Sequence, residues 1–160
     1  MIQPLALGGI TYGVSDLELT AAYAAIADGG QYRKPVFYTK VTDSKGNVLI
    51  DNTENKATQV FKASTASLLT NAMEDVLEKG TGVAARLDNM HAAGKTGTTN
   101  EAKDLVFAGF TPYYTAAIWA TYDTHAEFPE SDREFHKRLW AKVMNEIHEG
   151  LADMDFETSA

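Results

Sequence analysis

Lys95 stands in the run Gly94-Lys95-Thr96-Gly97-Thr98-Thr99, one cation among small residues and hydroxyls just ahead of the apolar stretch 105–110. An ammonium is a point charge that favours an anionic group, and threonine hydroxyls can hold carboxylate oxygens. If the run is a strand, alternation puts Lys95 and Gly97 on one face and Thr96 and Thr98 on the other. Glycine inside a strand marks close approach by a ligand or another backbone, and an open strand edge can pair with an extended peptide. The chemistry these residues suit is therefore capture of a peptide that ends in a carboxylate. Composition alone places a Lys-Thr/Ser-Gly triplet in roughly one chain of this length in ten, so by itself the triplet also fits a surface turn.

Other constellations carry less. Gly80-Thr81-Gly82 tempts a phosphate-loop reading, but it lacks the spacing of a nucleotide loop and a preceding strand. His91, His125, His136 and His148 show no metal-ligand spacing, and the last two, twelve positions apart, are separated by about three helical turns. Packing or solvated histidines are expected, with no metal and no cofactor. The net charge of −8 excludes the basic stripe that nucleic acid requires. No apolar run is long enough to span a bilayer and no signal sequence opens the chain. Cysteine is absent, which excludes disulfides and fits an extracytoplasmic protein.

The elements that must position Lys95 follow from patterning. The 160 residues, 44 % apolar and 22 % charged, suffice for one domain with a modest core. Glycine-rich residues 1–13 read as a loop. Ser15 and Glu18 form a capping box, with Val14 placed to staple onto Leu19. The helix that follows sets Leu19, Ala22, Tyr23 and Ile26 at helical spacing and stops at Gly29-Gly30. Residues 36–52 read as a β-hairpin turning at 43–47. A second helix over 64–79 is expected to bury Leu69, Ala72, Met73, Val76 and Leu77. Strands at 91–98, 105–110 and 115–122 come next, the last two an antiparallel hairpin. A final helix over 132–151 aligns Phe135, Leu139, Trp140, Val143, Met144 and Ile147 toward the sheet, with Glu134, Glu146 and Glu149 on its wet face. The tail 152–160 is expected to fray. The fold class is α+β, an antiparallel sheet flanked by helices.

Four stretches in order, "LGGITYGVSDLELTAAYAAIADGG", "GTGVAA", "AGKTGTTNEAKDLVFAGFTPYYTAAIW" and "FHKRLWAKVMNEIHEGL", cover nearly all of residues 5–157. They resemble the C-terminal half of the transpeptidase domain of bifunctional (class A) penicillin-binding proteins. The resemblance implies a five-stranded antiparallel sheet with helices on both faces, the Lys95 strand at the edge beside the cleft and the C-terminal helix behind the sheet. It implies that Lys95 joins the proton network of the nucleophile. Thr96 and Thr98 would hold the terminal carboxylate of a stem peptide or β-lactam, with Gly97 and Thr99 also lining the substrate. The Thr98 backbone N–H would be one oxyanion donor, and Asp104 would be structural. The family often has tryptophan where this chain has Leu105 or Val106.

Sites of this family also need S-x-x-K and S-x-N. Ser15, Ser44, Ser64, Ser67 and Ser131 are followed three positions on by Glu18, Asn47, Ser67, Thr70 and Glu134, Ser159 sits near the end, and no serine has asparagine two places on. Acyl transfer needs an activated nucleophile, so the chain alone is expected not to acylate. The family places both motifs upstream, which makes this chain an expected fragment of a membrane-anchored D,D-transpeptidase at the extracytoplasmic face, with Met1 a fortuitous start. Loss of the N-terminal part of the domain would leave apolar surface open, so self-association or pairing with the missing part is expected. The rival readings are a β-lactamase-related hydrolase fragment and a non-catalytic module that binds stem peptides.

Overall fold

Ser15 starts the first helix as its sequence predicts. In the computed structural model, which describes residues 8–10 and 12–157, its hydroxyl accepts the Glu18 N–H at 3.3 Å while its own N–H donates to the Glu18 carboxylate at 2.8 Å. Two orphan donors of the helix end are thereby satisfied. Helix α1 (Asp16–Ala27) ends where Gly29 and Gly30 take φ of 60° and 89°, a left-handed conformation open to glycine at little cost. Its buried residues are Ala21, Ala25 and Ile26, whereas Ala22 is exposed. The loop reading of residues 1–13 falls largely outside the described residues.

Short strands β1 (Gln31–Tyr32) and β4 (Thr58–Gln59) pair antiparallel. Between them β2 (Lys40–Thr42) and β3 (Val48–Asp51) form the expected hairpin, with a register shift between Val41 and Thr42. Helix α2 (Ala63–Glu78) buries Ala66, Thr70, Met73 and Leu77. Leu69 and Ala72, expected inside, are exposed. The 66-70-73-77 row faces the sheet, Met73 packing with Ala93 and Phe110 and Leu77 with Phe107, and a helix can turn only one such stripe inward.

The main sheet has the order β5 (Ala93–Thr98), β6 (Asp104–Phe110), β7 (Thr115–Thr121), antiparallel and without a register shift. Lys95 pairs with Ala108 and Ala108 with Ala117; Gly97 pairs with Val106 and Val106 with Trp119. These side chains share one face. The other carries Thr96, Phe107 and Ile118. The five strands implied by the resemblance appear as three among the described residues, with β5 an edge.

Phe107 packs edge-on against Trp140 of helix α3 (Phe135–Ile147), with ring centroids 4.9 Å apart, above Leu77, Ala85, Leu87 and Met144. Gly109 makes this possible, since a Cβ there would stand 2.9 Å from the indole. The opposite core joins Phe110 to Ile26 and Met73, so one sheet is sealed by helices on both faces. Helix α3 departs from its expected boundaries and facing. A 3₁₀ turn (Glu130–Asp132) precedes it, and Phe135, Leu139, Val143 and Ile147 are at least 40 % exposed. His136, Lys137 and Ala141 are buried beside Trp140 and Met144 instead. The Gly109 recess draws Trp140 to the centre of the contact, which rotates the 135-139-143 row to its margin.

His148 packs as a core histidine, between the Thr111 hydroxyl and the Met144 carbonyl, each at 2.7 Å. His136 is buried with neither ring nitrogen hydrogen-bonded among the described residues, and burial lowers its pKa. The described part of the tail touches the body of the molecule at three points. Asp153 accepts from the His91 N–H at 2.9 Å, the Ala152 carbonyl accepts from the Tyr113 hydroxyl at 3.0 Å, and Phe156 meets Phe110 edge-on at 5.4 Å.

Candidate functional site at the β5 edge

Strand β5 leaves the interior as it runs: Ala93 and Gly94 are buried, Lys95 is exposed, Thr96 and Gly97 are half-buried, and Thr98 is exposed. Gly94 supports the reading of glycine as a mark of close approach. A Cβ on it would lie 2.7 Å from the Phe107 ring and 2.9 Å from the Ala108 carbonyl oxygen. Here the approaching group is the sheet itself. Gly97 is different, with only Val106 Cβ at 3.4 Å.

The Lys95 ammonium curls along the strand to donate to the Thr96 carbonyl at 3.0 Å and to Thr96 Oγ1 at 3.3 Å. Thr96 Oγ1 also lies 2.8 Å from Thr81 Oγ1. The Thr98 hydroxyl has no partner among the described residues. Thr99 is committed elsewhere: its hydroxyl donates to Asp104 Oδ2 at 3.0 Å and accepts the Asp104 N–H at 2.9 Å. Any contribution of Thr99 to a ligand is through backbone and shape. The expected grouping of Lys95, Thr96 and Thr98 is thus present on one exposed edge, and Thr99 belongs to the turn behind it.

That turn is built for fixity. Glu101 and Ala102 take φ of 62° and 49°, a region that costs a non-glycine residue of order 1–3 kcal/mol. Ala102 is buried against Leu105 and Phe128, and its carbonyl receives the Phe128 N–H at 3.0 Å. Asp104 gathers the rest, accepting from Thr99, from Trp119 Nε1 at 3.1 Å and lying 3.3 Å from His125 Nε2. Burial pushes its carboxyl upward, but hydrogen bonds from Trp119, Thr99, His125 and Thr121 outweigh that and hold the pKa below its ordinary value. The structural reading of Asp104 agrees with this geometry. Of the two family tryptophan positions, Leu105 is buried beneath Phe128 and Val106 faces Gly97, while this chain's Trp119 pairs across from Val106.

Behind the strand stands a feature that sequence patterning underrated. Gly80 and Gly82 hug the end of α2, where added Cβ atoms would stand 2.8 Å and 3.0 Å from atoms of Val76. Thr81 is held between them, and its carbonyl accepts from the buried Lys137 Nζ at 3.0 Å. Lys137 also pairs with Glu134 at 2.5 Å. The two tight glycines were the available signal; nothing in the pattern linked them to Lys137, 56 positions on.

No group of three or more metal-ligating side chains occurs among the described residues. A cavity of about 570 Å³ opens near the start of β5, lined by Glu74, Arg86, His91 and Asp153 among others, and Lys95 is not part of it. The site is an open strand edge, a form suited to an extended chain rather than an enclosed small molecule.

Comparisons with known proteins identify the family. The family described as the penicillin binding protein transpeptidase domain matches residues 3–148. Penicillin-binding protein 1A of Clostridium perfringens is 36 % identical over 144 residues, which are 90 % of this chain and 20 % of that protein. Penicillin-binding protein 4 of Bacillus subtilis is 41 % identical over 123 residues, 77 % of this chain and 20 % of that one. The chain thus spans about a fifth of the length of these relatives. Among solved structures, PonA1 of Mycobacterium tuberculosis in complex with penicillin V superposes with a TM-score of 0.77 at 26 % identity, over 89 % of this chain and 40 % of that one. Penicillin-binding protein 1A of Haemophilus influenzae gives 0.81 at 18 % identity over 98 % and 29 %, a likeness of fold. With the family model matched over residues 3–148 of its 160, the chain belongs to the penicillin-binding protein transpeptidase domain family.

Proposed function

We propose that this chain forms the Lys95 wall of a class A peptidoglycan D,D-transpeptidase, an enzyme that cross-links stem peptides through an acyl-serine intermediate and is inhibited by β-lactams. The observation that carries the reading is the β5 edge, with an exposed ammonium, an uncommitted Thr98 hydroxyl and a free strand border within four residues. A stem peptide would lie along this border by main-chain pairing, its terminal carboxylate received by the hydroxyls of Thr96 and Thr98 under the Lys95 charge. The Thr98 N–H would supply one oxyanion donor, preorganised because β5 is fixed by β6 and α2. Lys95 would also take part in proton transfer to and from the nucleophile.

That nucleophile would come from polypeptide outside these 160 residues, since no serine here stands in S-x-x-K or S-x-N. The chain alone is then inactive, and the whole enzyme works at the extracytoplasmic face of the cell membrane. No helix of the described residues is long and apolar enough to cross a membrane. The rest of the transpeptidase domain would cover exposed apolar side chains such as Leu139 and Val143, and without it the chain would self-associate. The absence of S-x-x-K equally favours a second reading, a module that binds stem peptides without turning them over.

Fluorescent penicillin followed by a denaturing gel separates the two. The 160-residue chain should take no covalent label, and a polypeptide extended upstream to include S-x-x-K should take it. An extended protein that folds yet remains unlabelled would leave the binding module as the better account.

A further inference from the structure

We propose that Thr81 is a positioning residue of the Lys95–Thr96 edge, acting by setting which way the Thr96 hydroxyl points. A hydroxyl has one proton and two acceptor lone pairs. Lys95 Nζ donates into Thr96 Oγ1 at 3.3 Å, which occupies one pair. Thr81 Oγ1 at 2.8 Å is the other neighbour. When Thr81 donates, both pairs of Thr96 are filled, and its own proton is left for an incoming carboxylate. Thr81 therefore delivers a donor to the ligand at one remove, and keeps Lys95 drawn along the strand.

Thr81 is itself held from two sides. Its residue lies between two glycines pressed on Val76, and the Gly82 N–H donates to the Val76 carbonyl at 2.9 Å. On the other side the Lys137 ammonium, its side chain only 8 % exposed, bonds the Thr81 carbonyl and pairs with Glu134. A buried lysine is costly unless compensated, and these two acceptors are its compensation. The relay Glu134–Lys137–Thr81–Thr96–Lys95 ties helix α3 to the strand edge through three residues, Glu134, Lys137 and Thr81, that no catalytic motif contains.

The inference rests on the carboxylate-binding reading of the edge, and the test has one arm that does not. The isotope-labelled 160-residue chain is followed by nuclear magnetic resonance as wild type, Thr81→Val and Thr81→Ser. Without ligand, Thr81→Val should move the Lys95 Cε and Thr96 Cβ signals, and Thr81→Ser should keep them near their wild-type positions. With N-acetyl-D-alanyl-D-alanine, Thr81→Val should weaken binding about tenfold, the scale of one charge-assisted hydrogen bond. Its C-terminal amide should bind both proteins alike, and serine should restore the carboxylate preference. A loss of stability without a role in positioning would weaken acid and amide equally. Wild-type Lys95 signals and wild-type acid affinity in Thr81→Val would overturn the inference. A wild-type chain that does not prefer acid to amide would overturn the carboxylate reading, leaving Thr81 to be judged on the ligand-free signals.

Discussion

The structure contains two antiparallel hairpins closed with the help of an aspartate, and they use it differently. In the β2–β3 arm, Asp43 accepts the Lys45 and Asn47 N–H groups and the Asn47 amide at 2.8–2.9 Å, all within four residues. Beside the site, Asp104 collects Thr99, Trp119 and His125, up to 21 residues away. Hydrogen bonds, those of Asn47 foremost, lower the pKa of Asp43, and Asp104 is lowered despite its burial. The arm thus closes on itself with every residue of β3 exposed, whereas the site hairpin is closed by the rest of the molecule. Local turn chemistry is enough to shape a hairpin. Fixing one to the precision that a binding edge needs takes long-range contacts and a sealed core.

The strongest way to break the comparison is to hollow out the sheet. Trp140→Ala removes the ring that fills the Gly109 recess and a 3.0 Å bond to the Ala116 carbonyl. It should cost about 3–5 kcal/mol in urea unfolding. Leu49→Ala in the arm, at 64 % exposure, should stay within about 0.5 kcal/mol. Next comes Gly94→Ala, where the new methyl meets Phe107 and the Ala108 carbonyl; overpacking there should cost about 1–3 kcal/mol, against a negligible change for a substitution at Leu49.

Asp104→Asn is the milder probe. It keeps an acceptor for Trp119 but loses the charge, and about 1 kcal/mol of stability should go with it. The pH sign follows from the lowered pKa. The stabilisation by Asp104 is complete above the unfolded value of 3.8 and is lost as pH falls through the lower folded value. Acid titration followed by near-ultraviolet absorption of Trp119 should show this step in the wild type and lack it in the variant.

The smallest effect concerns the tail, intermediate between the two hairpins. The hydrogen bond between the His91 ring and Asp153 raises the His91 pKa above 6.5, and the His91 backbone N–H, followed by the ring, lowers that of Asp153 below 3.8. The His91 share of the latch is present below pH 6.5 and disappears as pH rises through its folded value. The Asp153 share is present above pH 3.8 and disappears as pH falls through its own. The tail should therefore be held best between these limits, and resonances of residues 152–157 should sharpen in mild alkali while those of β5 do not change.

How much of this was legible in the sequence varies with the kind of signal. The Ser15 capping box, the Asp43 turn and the β6–β7 hairpin are local devices, and each stands close to its expected place. The alternation around Lys95 was legible from the strand itself, whereas its edge position was implied only by the resemblance to the transpeptidase family. Helix facing was not: Leu69, Leu139 and Val143 are apolar at helical spacing yet exposed, because only the shape of the sheet, above all the recess at Gly109, decides which stripe turns inward. The Thr99–Asp104 commitment and the Lys137–Thr81 bond join residues through folding alone, and the glycines around Thr81 marked a family stretch without showing what Thr81 meets.

A binding edge at Lys95 must be stiff before any ligand arrives, and hydrogen–deuterium exchange of the 160-residue chain measures that directly. The segment 93–98 should exchange with the slow core of β6, while 40–51 exchanges orders of magnitude faster. Equal, fast exchange in the two segments would contradict it.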